Sequence, residues 1–176
     1  MQFIDLKAQY ATLKQEIDTN IQKVLEHGQF IGGPEVKELE KKLADYVGVK
    51  HCVSCGNGTD ALQNAYMAYG IGEGDAVFCP DVTFIASVEP ACMLGAVPVF
   101  CDITSDTYNL DPESLERQIL AVKKEGKYTP KAVVAVDFLG QLADYEAISA
   151  VCSKYGLILI EDAAQGFGAM HKGQKA

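Results

Sequence analysis

The chain has 176 residues, 48% hydrophobic and 22% charged, with a net charge of −9. That length supports one ordinary domain, or a piece of a larger one, with a substantial core. The acidic balance, with Arg117 as the sole arginine, argues against a nucleic-acid surface, which needs clustered cations to displace counterions from phosphates.

The first fifty residues predict helix. Leu6, Tyr10, Leu13, Ile17, Ile21 and Leu25 recur three or four apart and so share one face. Gly28 ends that helix, and Phe30-Ile31-Gly32-Gly33-Pro34 reads as a turn with Pro34 opening the next. Val36, Leu39, Leu43 and Tyr46 or Val47 form a second stripe, closed by Gly48. From there strand and helix alternate. Strands are expected at Cys52–Ser54, Ala76–Cys79, Val97–Cys101, Ala132–Val136 and Leu157–Ile160. Helices are expected at Asp60–Tyr69, Phe84–Leu94, Pro112–Lys124 and Tyr145–Tyr155. The strands are short, continuous and rich in Val, Ile and Leu, as strands buried on both faces of a parallel sheet are. The expected fold class is α/β, a three-layer α/β/α arrangement around a mostly parallel sheet. Residues 1–50 form a helical segment in this reading and 51–176 the α/β part.

No apolar run approaches the ~20 residues of a membrane span. The opening MQFIDLKAQY lacks the continuous apolar core of a signal peptide. A cytoplasmic location is the default expectation, and it suits the six cysteines, four of which sit in or beside apolar runs where a free thiol behaves as a small hydrophobe. Cys52 and Cys55 form a CxxC beside His51, but no second pair follows at metal spacing, so no metal site is expected.

In a parallel α/β fold, ligands sit beyond the C-terminal ends of the strands. Four polar segments fall there: Ser54–Asp60, Pro80–Phe84, Asp137–Gln141 and Glu161–Gly166. The first contains Gly56-Asn57-Gly58-Thr59-Asp60-Ala61, which admits three readings. Its GxGxxA spacing, with Asp81 twenty residues past Ala61, fits a dinucleotide loop. The same residues suit a single phosphate monoester held by the Thr59 hydroxyl and the first backbone N–H groups of the helix, at Gly58, Thr59 and Asp60. The third reading is a plain turn and helix cap made by Asn57 and Thr59.

The other segments bear on that choice. Asp162 follows the apolar run Leu157–Ile160 and is delivered to the sheet rim, where a carboxylate needs a cation or donors. A pyridinium N–H is such a partner, and holding that proton makes the ring an electron sink, the protein's main lever on pyridoxal phosphate. Gln165 could hydrogen-bond the ring's phenolic oxygen, and Phe84 could stack on the ring. Phosphate cup, stacking ring and carboxylate make a complete cradle for one cofactor.

With those residues in place, the chain resembles the sugar-nucleotide aminotransferases of the DegT/StrS type, a branch of the fold-type-I pyridoxal-phosphate enzymes. The resemblance runs from Phe3-Ile4-Asp5-Leu6 through Phe30–Val36, Asn57–Leu62, Gly74–Val77, Pro80–Phe84, Val99–Ile103, Tyr108–Asp111 and Gly140–Asp144 to Glu161–Gln165. It implies the large domain of an aspartate-aminotransferase-like fold, incomplete here. It also implies pyridoxal 5'-phosphate as cofactor, a nucleotide-linked keto-sugar and glutamate as substrates, and a homodimer. By matching position, Thr59 and the Asp60 N–H bind the phosphate, Phe84 stacks, Asp162 pairs with the pyridine nitrogen and Gln165 contacts the phenolic oxygen. Phe30, Ile31 and Gly32 fall on the sugar-nucleotide side.

The family's Schiff-base lysine comes about twenty residues after the Glu-Asp-Ala-Ala-Gln block, a separation that would place it beyond Ala176. Lys154, Lys172 and Lys175 do not match its position. The expectation is therefore an N-terminal portion of an aminotransferase, inactive alone, lacking the rest of the large domain and the C-terminal small domain. Two other classes stay open: a nicotinamide-dependent oxidoreductase built on the GxGxxA loop, and a non-catalytic module that binds pyridoxal phosphate or dimerises.

Overall fold

The structure is a computed structural model and describes residues 3–176. Met1 and Gln2, which open the expected helical segment, lie outside the described residues. The chain divides into two compact units, Met1–Val53 and Ser54–Ala176.

The first unit holds α1 (Leu6–His27) and α2 (Pro34–Val47). Asp5 caps α1 by accepting the Ala8 N–H, and Gly28 closes it in the left-handed region at φ 69°. Pro34 opens α2, where its missing N–H costs nothing, and Gly48 ends it at φ 86°. The predicted stripe on α1 forms, yet α1 contains no buried residue, and Leu6, Ile21 and Leu25 are more than half exposed.

The second unit is built on a four-stranded parallel sheet of order β2-β1-β3-β4, with β1 at Asp75–Pro80, β2 at Val97–Cys101, β3 at Thr129–Val136 and β4 at Ile158–Asp162. Side chains alternate across it. Val77, Cys79, Val134, Val136 and Ile160 pack on one face with Leu62 and Tyr66 of α3 (Gly58–Ala68) and Ala91 of α4 (Glu89–Met93). Ala76, Phe78, Val133 and Ala135 pack on the other with Leu115 and Ile119 of α5 (Pro112–Glu125) and Ile148 and Cys152 of α6 (Tyr145–Tyr155). The three layers are thus α3 and α4, the sheet, and α5 and α6. A short antiparallel hairpin, β5 (Met170–His171) with β6 (Gln174–Lys175), follows and was not signalled by periodicity.

Two expected elements need correction. Cys52–Ser54 forms no strand. A strand needs a ladder partner; β1 and β3 each have both sides filled, and the segment pairs with neither outer strand. The expected helix over Phe84–Leu94 is instead a 3-10 turn at Ile85–Ser87 followed by the five-residue α4. Pro90 has no N–H to continue a ladder from the preceding turn, so the helix restarts around it.

Candidate active site

β4 runs in register with β3, Ala135 opposite Glu161 and Val136 opposite Asp162. The alternation puts Asp162 on the same side as Ile160 and Val136, toward α3 and α4. It puts Glu161 on the side of Leu159, toward α5 and α6. On the α3 side a cavity of about 210 Å³ opens at the C-terminal rim, lined by Gly58, Thr59, Leu62, Thr83, Phe84, Ala86, Ser87, Val136, Asp162, Ala164 and Gln165. Three of the four rim segments predicted from sequence therefore meet there. A larger hollow of about 470 Å³ is lined by Thr104, Asn109, Tyr145, Glu146, Lys172 and neighbours. It lacks the strand-end carboxylate that marks the smaller one.

One end of this cavity is the start of α3. Asn57 caps the helix, its Oδ1 accepting the Asp60 N–H at 2.9 Å while its Nδ2 donates to Asp60 Oδ2 at 3.0 Å. The Asp60 N–H, expected at the phosphate, is therefore taken by Asn57, and Asp60 does not line the cavity. Gly58 and Thr59 do line it, and the first N–H groups of a helix have no partner within it. Gly56 permits the cap: a Cβ there would stand 2.7 Å from Asp60 Oδ2.

Phe84 is 67% exposed and forms one wall. Asp162 is half-buried; its Oδ2 accepts the Ser87 hydroxyl at 2.7 Å and its Oδ1 the Ala164 N–H at 3.2 Å. Gln165 accepts the Leu139 N–H on Oε1 at 2.8 Å, which fixes its amide and turns the NH₂ end free to donate. Leu139 is left-handed at φ 56°, unusual for its type, and is followed by Gly140 at φ 83°. Asn109, nearly fully buried, clamps that loop: Nδ2 donates to the carbonyls of Gln141 and Leu142 at 3.0 and 3.1 Å, and Oδ1 accepts the Phe138 N–H at 3.1 Å.

Behind the loop, on the α6 side, Asp137 is wholly buried. Its Oδ1 accepts the Ala143 N–H at 3.1 Å and the Tyr145 hydroxyl at 2.8 Å, while Oδ2 meets no donor. Burial first, then the neighbouring Asp137, raises the Glu161 carboxyl to about 7. Burial and the hydrogen bond to Asp137 push the Tyr145 phenol upward too.

Ser87, Asn109 and Asp137 were not singled out as site residues from sequence; Asp137, next to the run Ala132–Val136, fell in a rim segment, and Asn109 in the Tyr108–Asp111 block of the resemblance. Phe30, Ile31 and Gly32 lie in the other unit, in the turn between α1 and α2, with Gly32 at φ 60°. Cys79 and Cys101 are core residues whose thiols burial pushes up to about 12. Among the described residues no group of three or more His, Cys, Asp or Glu is placed to hold a metal ion.

A parallel α/β sheet whose rim joins a helix N-terminus, an aromatic wall and a strand-end carboxylate defines a class of sites suited to a phosphorylated, nitrogen-bearing ring. Comparison with known proteins specifies that class. The model of the DegT/DnrJ/EryC1/StrS aminotransferase family matches residues 11–176, and the chain belongs to that family. It is 53% identical over its full length to the UDP-2-acetamido-2-deoxy-3-oxo-D-glucuronate aminotransferase of Pseudomonas aeruginosa, covering 47% of that protein. It is 39% identical to the dTDP-3-amino-3,6-dideoxy-alpha-D-galactopyranose transaminase of Aneurinibacillus thermoaerophilus, covering 98% of this chain and 46% of the relative. Among solved structures, a DegT/DnrJ/EryC1/StrS aminotransferase from Brucella abortus superposes with a TM-score of 0.93 at 50% identity, over 96% of this chain and 45% of that one. The NtdA protein of Bacillus subtilis, solved with bound cofactor PMP, superposes with a TM-score of 0.83 at 31% identity, over 92% of this chain and 36% of that one. The chain spans about half the length of the curated relatives it matches. The aminotransferase family takes the place of the nicotinamide oxidoreductase reading of GxGxxA.

Proposed function

We propose that this chain is the cofactor-cradling half of a pyridoxal-phosphate-dependent aminotransferase that moves an amino group from glutamate onto the keto carbon of a nucleotide-linked sugar. One observation supports this most: the start of α3, the Phe84 ring, the Asp162 carboxylate and the Gln165 amide converge on a single cavity of about 210 Å³. The donor set matches the cofactor's groups end to end. When bound, the cofactor supplies an electron sink that the protein itself lacks.

The residues divide the remaining work. Thr59 and the first N–H groups of α3 hold the phosphate, helped by the helix dipole. Phe84 covers one face of the ring and excludes water from it. Asp162 accepts the ring N–H and keeps that proton in place. Gln165, its Oε1 already fixed by Leu139, donates to the phenolic oxygen. Among the described residues no lysine lines the cavity, and this reading assigns the amine that would hold the cofactor to no residue of this chain. The substrate class follows the names of the relatives, a uridine-diphosphate 3-oxo-sugar acid being the first to try. Phe30–Gly32 is assigned to the sugar-nucleotide side, the active enzyme to a homodimer, and the compartment to the cytoplasm, consistent with six free cysteines.

Titration of the purified chain with pyridoxal 5'-phosphate, beside Asp162→Ala, tests this reading. The expected result is noncovalent binding, weakened in the variant, with no amino transfer from glutamate. Equal affinity in the two proteins would remove Asp162 from the site, and turnover by this chain alone would refute the missing-lysine argument.

A further inference from the structure

Asp162 reaches the cavity from β4, but its orientation is set from the opposite wall. Ser87 is 1% exposed, and its hydroxyl donates to Asp162 Oδ2 at 2.7 Å across 75 residues of sequence. The Ser87 Oγ itself stands 2.8 Å from the Thr83 hydroxyl. A hydroxyl carries one proton, and that of Ser87 is committed to the carboxylate, so Thr83 is the donor in the second pair. The result is a directed relay, Thr83 to Ser87 to Asp162. The Ser87 backbone is fixed separately, its carbonyl accepting the buried Tyr66 hydroxyl at 2.5 Å. In a regular helix that carbonyl would take a later N–H; here the residue three on is Pro90, which has none, and the Ala91 N–H goes to the Val88 carbonyl, leaving it for Tyr66. An alanine would pack here without the expense of burying a hydroxyl, and among the described residues the hydroxyl's partners are Thr83 and Asp162.

We propose that Ser87 is a positioning residue, whose hydroxyl holds the Asp162 carboxylate in the orientation that meets the cofactor's ring nitrogen. The inference rests on the reading above that Asp162 faces that nitrogen. Ser87 acts through Asp162, so its removal matters only for ligands that carry the nitrogen and only while Asp162 is present.

Two probes separate this from a packing role: pyridoxal 5'-phosphate and its 1-deaza analogue, which has C–H in place of the ring nitrogen. The affinity ratio of the two, measured on one protein, does not depend on what fraction of that protein is folded. The intact chain should favour the natural cofactor. Ser87→Ala should shrink that preference by about tenfold, the scale of one hydrogen bond to a charged group. Ser87→Thr, which keeps the hydroxyl, should restore it. In an Asp162→Ala background, Ser87→Ala should have no further effect. If Ser87→Ala leaves the ratio as it was while Asp162→Ala abolishes it, the positioning role is wrong and the proposed function stands. If Ser87→Ala weakens both probes equally, or adds in full to Asp162→Ala, the residue is merely structural and the inference falls. If Asp162→Ala also leaves the ratio unchanged, the carboxylate does not face the nitrogen, and both readings fall together.

Discussion

Asp137 and Glu161 bring two carboxyl groups together on the α6 side of the sheet, from the ends of adjacent parallel strands paired Ala135 to Glu161. Asp137 is wholly buried with one oxygen lacking a donor, and Glu161 is the neighbour that can provide one by keeping its proton. Because burial and Asp137 raise Glu161 to about 7 in the folded chain, the native state holds a proton that the unfolded chain releases near the ordinary glutamate value. Stability from this source is full below that ordinary value and is lost as pH rises toward 7. Glu161 is more than a third exposed, so solvent screening trims the effect to about 1 kcal/mol. Chemical denaturation at pH 5 and pH 8 should show that loss, and Glu161→Gln should flatten it.

Tyr145→Phe removes one of the two donors on Asp137 Oδ1 and leaves the Ala143 N–H alone. A buried acceptor deprived of a donor costs roughly 1–3 kcal/mol. The urea midpoint of the variant should fall with an unchanged slope, since nothing in the change alters the surface exposed on unfolding.

Asn109 makes three hydrogen bonds to the backbone of Phe138, Gln141 and Leu142. Asn109→Ala should leave the sheet folded and loosen this loop. The amides of Phe138 and Leu139 should then exchange faster with deuterium. Cofactor affinity should drop severalfold, because Leu139 no longer holds Gln165.

At Gly166, an added Cβ would stand 2.5 Å from the Asp137 Cβ and 2.8 Å from its Oδ2. Both atoms belong to a side chain fixed by burial, so neither can swing away. Gly166→Ala should destabilise by about 1–3 kcal/mol and weaken cofactor binding through the adjacent Gln165. Thermal melts with and without pyridoxal 5'-phosphate measure both effects.

The sheet was readable because buried parallel strands are short apolar runs, and Val97–Cys101 and Tyr145–Tyr155 have the bounds their patterns predict. Asp162, Gln165, Phe84 and Thr59 were readable for a related reason: Asp162 ends such a run, Phe84 and Gln165 lie in the polar segments after one, and Thr59 is in the first turn of a helix, so chain order places each near the rim. Ser87 was hidden inside an apparent helix that Pro90 breaks, and its partner is 75 residues away. Asn109 contributes through a side chain that reaches backbone 32 and 33 residues on. Cys52–Ser54 has the composition of a strand but no neighbour to make it one. Pairing across the fold is not written in local pattern, and these residues depend on it.

The alternation of β4 means that one strand end serves two unrelated chemistries. Asp162 turns toward the cavity beside α3, and Glu161, one residue earlier, turns toward the buried Asp137. Both are carboxylates, so nothing in their composition distinguishes them; only the count of residues along the strand does. Inserting a single residue within Ile158–Ile160 would carry Glu161 to the place of Asp162 and put the longer side chain in the cavity. For this protein, strand length is itself a determinant of the site, and a frame-preserving one-residue change in β4 is a lesion of the cradle even where every cradle residue survives.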